Sequence, residues 1–143
     1  FLLGKAIREF TNKIIGSFSI YAAEAGEGIS KLSGGNLQKI ILGRELSGDP
    51  SFIIANQPTR GLDVGSIEFV HETLIKARDK GTGVLLVSVE LDEIMSLADR
   101  ILVLYRGKMI GELDGGTATE EEVGILMAGG SLNQPKTKEK GKS

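Results

Sequence analysis

Two short apolar runs, Phe52-Ile53-Ile54-Ala55 and Val84-Leu85-Leu86-Val87, bracket a helical pattern and so limit what this chain can fold into. Each run is continuous and rich in branched side chains, which predicts a strand buried on both faces. Between them, Ile67, Val70, Leu74 and Ala77 recur on one face of a helix expected over 64–79, and Gly81-Thr82-Gly83 closes it. Strand, helix, strand in that order predicts an α/β domain with a largely parallel sheet.

The flanking segments extend this frame. Ile7, Phe10, Ile14, Ile15 and Phe18 form a helical stripe within 5–18, and 21–31, rich in Ala, Gly and Glu, reads as a loop. Ser33-Gly34-Gly35 opens a second helix with Leu37, Ile40, Ile41 and Leu46 as its apolar residues, ending near Gly48-Asp49-Pro50. A short helix is expected around Leu91–Leu97, a hairpin with strands 101–105 and 108–113 about Arg106-Gly107, and a weak helix around 120–128. From Gly129 the composition turns to Asn, Gln, Pro, Lys, Thr and Glu, which predicts a disordered tail. The expected organisation is therefore 1–32 as helix and loop, 33–128 as the core, and 129–143 as the tail. Phe1 in place of a starting Met leads to the expectation of a piece of a longer polypeptide.

Composition removes several functions. A net charge of −2 gives no global pull toward nucleic acid. The absence of cysteine removes disulfides and thiolate metal sites, and fits a reducing cytoplasm. His71 has neither a metal set nor a nucleophile near it in sequence and reads as structural. Glu90, Asp92 and Glu93 cluster at the start of a helix, where its dipole favours negative charge. Lys136, Lys138, Lys140 and Lys142 alternate with neutral and acidic residues and read as a solvated tail.

The segment Leu32-Ser33-Gly34-Gly35-Asn36-Leu37-Gln38-Lys39 carries two glycines that let the backbone approach a phosphate, ahead of a helix whose first N–H groups are free to meet it. It resembles the signature loop of ABC ATPases. Pro58-Thr59-Arg60-Gly61-Leu62-Asp63 follows a strand and resembles the family's D-loop region, although Asp63 also reads as a plain helix cap. Ala98 to Lys108 is similar to the hairpin after the family's switch loop. Gln57-Pro58-Thr59-Arg60-Gly61-Leu62-Asp63-Val64-Gly65 and the Ser88-to-Glu93 segment resemble the second ATPase module of importers for simple sugars or nucleosides. The resemblance implies a partial P-loop NTPase fold, with ATP and Mg²⁺ as cofactors of the whole protein. It also implies another ABC ATPase module and membrane permease subunits as partners, no nucleic acid, and a place at the inner face of the cell membrane. Ser33, Gly34, Gly35, Asn36 and Asp63 are the nucleotide-facing residues it implies.

The sequence departs from that pattern where chemistry is done. The family's strand-ending Asp-Glu pair, which organises magnesium and polarises water, reads Asn56-Gln57 here, and the switch histidine is replaced by Val89. Losing a general base costs about 10²–10⁴-fold in rate. No Gly-x-x-x-x-Gly-Lys-Ser/Thr loop occurs in the sequence. The implied role is to complete a partner's nucleotide site in trans while its own stays silent, with no tightly bound cofactor and no metal. The strand that carries the phosphate loop in the family lies beside the one at 84–88, so its absence predicts an open edge, repacking, or a homodimer or domain-exchanged oligomer. Two other readings are a non-catalytic assembly module and a chromosome-maintenance or DNA-repair ATPase. The last normally keeps the Asp-Glu pair and joins its halves by coiled coils, and no sustained heptads occur here.

Overall fold

A computed structural model describes residues 3–18, 20 and 32–132. The loop expected at 21–31 and the lysine-rich segment beyond 132 lie outside the described residues. The chain divides into two units, Phe1–Ser88 and Val89–Ser143.

In the first unit, α1 (Gly4–Ser17) and α2 (Gly34–Leu46) precede β1 (Phe52–Asn56), α3 (Val64–Asp79) and β2 (Gly83–Val87). β1 and β2 pair in parallel, Phe52 opposite Gly83 through Asn56 opposite Val87. The core forms where α3 packs against β2 and α2. Val70, Leu74 and Ala77 supply its α3 side, and Leu42, Ile14 and Ala55 complete it. The ring of Phe18 meets that of Phe69 edge-on at 6.2 Å, and Lys39 Nζ lies 4.6 Å over Phe69. Together these contacts tie the three helices.

Two expectations need correction. The strands are not buried on both faces: exposure alternates, with Phe52 at 56%, Ile54 at 65%, and Leu85 and Val87 at 45% each. The register places these four side chains on one face of the pair, while Ile53, Ala55, Val84 and Leu86 share the other, better covered face. The physical reason is that the pair is two strands wide and helical packing reaches it from one side. The second correction concerns the helix stripes. α2 buries Leu42, whereas Ile41 is 38% exposed, and α1 buries Ile14 while leaving Ile7 and Phe10 largely open.

In the second unit, α4 (Leu91–Leu97) leads into β3 (Arg100–Tyr105), β4 (Lys108–Asp114) and α5 (Glu120–Met127). β3 and β4 are antiparallel, with an irregularity between Val103 and Leu104. The turn residues Arg106 and Gly107 both have positive φ, 47° and 77°, as a two-residue hairpin turn requires. Ile101, Val103, Val123 and Leu126 form the core, with Leu91, Ile94, Ala98 and Leu113 packed around it.

A capping box starts α5. Thr119 Oγ1 accepts from the Glu122 N–H at 3.2 Å, and Glu122 Oε2 accepts from the Thr119 N–H at 2.9 Å. Thr119→Ala is expected to lose about 1 kcal/mol of stability, read as a fall of roughly 5 °C in a thermal melt followed by circular dichroism. Asp92 and Glu93 do occupy the first turn of α4, and Glu93 is 3% exposed. Among the described residues no helix is long and apolar enough to cross a membrane.

Candidate functional site

Of the residues singled out in the sequence, Ser33, Gly34, Gly35, Asn36 and Asp63 lie at the N-terminal ends of α2 and α3. Ser33 keeps an extended backbone and caps α2, its Oγ accepting from the Asn36 N–H at 3.3 Å and from Asn36 Nδ2 at 3.1 Å. Its carbonyl accepts the Leu37 N–H at 2.9 Å, the first bond of the helix. By position, the N–H groups of Gly34 and Gly35 have no partner within the helix.

Asp63 caps α3 in the same way. Its Oδ1 accepts the Ser66 N–H at 3.0 Å and its Oδ2 accepts the Ser66 hydroxyl at 2.8 Å. The Ser66 hydroxyl first, then the Ser66 N–H, hold the Asp63 carboxyl below its ordinary value of 3.8. Because the folded value is the lower one, this contribution is complete above 3.8 and is lost as the pH falls through the folded value.

The two ends touch. A β-carbon on Gly34 would stand 3.7 Å from Leu62 Cδ2. One on Gly35 would overlap Ser66 Oγ and lie 2.9 Å from Ser66 Cβ. Ser33, Gly34, Gly35, Asn36 and Asp63 are therefore one cluster. Ser66, which sequence reading did not single out, is at its centre. A Ser three residues after an Asp cap was the available signal, and its contact with Gly35 had none.

Asn56 ends β1, and Gln57 follows it into the tight turns that lead to α3, with Arg60 N–H on Gln57 O at 3.3 Å and Leu62 N–H on Thr59 O at 3.1 Å. The Gln57 N–H extends the parallel ladder to Val87 O at 2.8 Å. Gln57 itself has φ 49°, the left-handed region that non-glycine residues rarely adopt. Val89 opens the second unit at 65% exposure, just ahead of α4. His71 is half-buried on α3.

Tested against the family's cofactors, the two sides of this arrangement differ. The α2 end offers a hydroxyl and first-turn N–H groups, which suit a phosphate. The end of β1 offers two neutral amides in place of carboxylates, which do not suit Mg²⁺. Among the described residues no cluster of His, Cys, Asp or Glu could hold a metal ion. The Asp63 carboxylate lies 3.4 Å from the place a Gly35 β-carbon would take, so the cluster carries a negative charge beside its phosphate-suited turn.

No protein-family model matches the chain. It is 45% identical over 134 residues to the nucleoside import ATP-binding protein NupA of Lactococcus lactis, covering 94% of this chain and 26% of that protein. It is 55% identical over 103 residues to the guanosine import ATP-binding protein NupO of Bacillus subtilis, covering 72% and 20%. Over 115 residues it is 50% identical to a glucose import ATP-binding protein of Haloferax volcanii, covering 80% and 20%. The fold superposes with a TM-score of 0.67 on the dimeric, post-hydrolysis ATP-binding cassette MJ0796 bound to ADP and Pi, at 25% identity, covering 80% of this chain and 49% of that one. The chain belongs to the ABC ATPases and carries the C-terminal part of their α/β nucleotide-binding domain. Within that family its relatives are the ATP-binding proteins of sugar and nucleoside importers, and it spans about a fifth to a quarter of the length of those it matches.

Proposed function

We propose that this chain is part of the energy-coupling ATPase of a sugar or nucleoside importer, where it presents its signature turn and Asp63 to the phosphate site of another ABC module. The observation that carries this reading is the cluster of Ser33, Gly34, Gly35 and Asp63 at two adjoining helix ends, set against neutral Asn56 and Gln57 at the end of β1. The first half suits a phosphate brought from outside. The second lacks the carboxylates that hydrolysis at its own site would need. ATP and Mg²⁺ then belong to the whole transporter, which works with permease subunits at the inner face of the membrane. The importer names of its relatives support the substrate class.

A second reading, a module that assembles without handling nucleotide, draws on the exposed apolar face of Phe52, Ile54, Leu85 and Val87. In that reading the chain associates with itself as a homodimer or domain-exchanged oligomer.

Calorimetry with Mg-ATP separates intrinsic binding from a role in trans. The isolated chain is expected to give no binding heat up to millimolar nucleotide, because the Gly-x-x-x-x-Gly-Lys-Ser/Thr loop is absent and Asp63 opposes a lone phosphate. Micromolar binding would overturn the in-trans reading. If nucleotide together with a phosphate-loop module leaves the chain's association unchanged, the assembly reading takes its place.

A further inference from the structure

Both oxygens of the Asp63 carboxylate accept from Ser66, and that residue fills the space beneath Gly35. The hydroxyl-to-carboxylate bond, at 2.8 Å, is charge-assisted and stronger than a bond to a neutral acceptor. As the third residue of α3, Ser66 has no carbonyl of its own helix four residues earlier, so the Asp63 carboxylate is the acceptor that fixes its hydroxyl. Glycine at 35 is thus required sterically as well as for the helix end, since any β-carbon would collide with Ser66.

We propose that Ser66 is a positioning residue that latches the signature turn to Asp63, so that the conformation of Gly34, Gly35 and Asn36 follows the state of that carboxylate. Drawing the carboxylate toward another donor removes the charged acceptor from Ser66. The hydroxyl then loses the bond that fixes its rotamer, and the support under Gly35 loosens. The meaning of the latch for transport rests on the function proposed above: a partner module that engages Asp63 would move the signature turn of the same chain. The latch itself is a property of this chain alone.

The test uses amide NMR and hydrogen exchange on the full chain, without nucleotide. Ser66→Ala keeps its own N–H on Asp63 Oδ1, so a purely local capping role would disturb α3 alone. The latch predicts instead that Gly34 and Gly35 resonances shift and that Asn36 and Leu37 amides exchange about fivefold faster or more, with Val70 and Leu74 unchanged. Asp63→Asn, which retains a good cap, is expected to produce the same changes in Gly34 to Leu37. The double variant is expected to add nothing further. Changes confined to residues 64–67, or additive changes in the double variant, would show Ser66 to be a cap and no more. Because no nucleotide enters, failure here leaves the calorimetric test of the proposed function untouched, and the reverse holds as well.

Discussion

Gly115→Ala is expected to destabilise the second unit by about 3 kcal/mol, among the largest costs of adding one methyl group to a packed site. Gly115 follows β4, and its N–H donates to Asp99 O at 2.9 Å. A β-carbon there would overlap the Ala98 carbonyl oxygen and lie 2.8 Å from the Ala98 carbonyl carbon and 3.1 Å from that of Asp99. These are backbone atoms, so no side chain can swing aside to make room. Nor can the backbone drift easily, because Arg100 pairs with Asp114 and the Ala118 N–H donates to Asp114 O at 2.8 Å. Relief would require opening the end of the hairpin next to Ile101, which is 4% exposed. A melt followed by circular dichroism should fall by roughly 15 °C. A midpoint within about 2 °C of the unmodified chain would mean that this close approach relaxes without cost.

The other large effect concerns association. β2 reads Gly83-Val84-Leu85-Leu86-Val87 with no charge or proline, the devices that usually protect an exposed strand from pairing with another chain. With Phe52 and Ile54 of β1 it also presents an apolar face. The unmodified chain is therefore expected to self-associate, and Leu85→Lys to shift that association to at least about tenfold higher concentration, or about 1.4 kcal/mol. Sedimentation velocity over a concentration series reads this directly. Leu86→Lys is the control: its neighbour in register is Ala55, 9% exposed, so a charge there should cost stability in place of association. A monomeric unmodified chain across the series would remove the expectation.

Sequence periodicity located what local chemistry determines. The stripe of Val70, Leu74 and Ala77 became the buried face of Val64–Asp79, and Arg106-Gly107, flanked by two apolar runs, became the hairpin turn. Asp63 was legible as a helix cap, and Ser33-Gly34-Gly35 as the opening of a helix. Exposure of β1 and β2 was not legible, because an apolar run looks the same whether a second layer covers it or not. The left-handed backbone at Gln57 had no signal either, since glutamine does not favour it and the ladder bond to Val87 helps hold it there. Burial of Glu93 ran against its charge, which favours the surface. The partnership of Gly35 with Ser66 joins residues 31 positions apart on two helices, a coincidence in space that no spacing rule encodes. Ser33, Gly34, Gly35, Asn36 and Asp63 were thus each legible as candidates, and Ser66, which joins them, was not.

The two strand pairs also differ in when they can form. Tyr105 meets Lys108 across a two-residue turn, whereas Phe52 reaches Gly83 only after a whole helix has intervened. Contacts between near neighbours close a short loop and gain ladder bonds within about 1–10 μs, as isolated hairpins do. The parallel pair must first bring together ends about 30 residues apart, and that entropy is spent before any bond rewards it. The hairpin is then expected to be an early event in refolding, and the β1–β2 ladder that orders Gln57 a late one. The apolar edge of β2 would meet other chains during that delay, which makes slow refolding at low protein concentration the natural route to a soluble preparation.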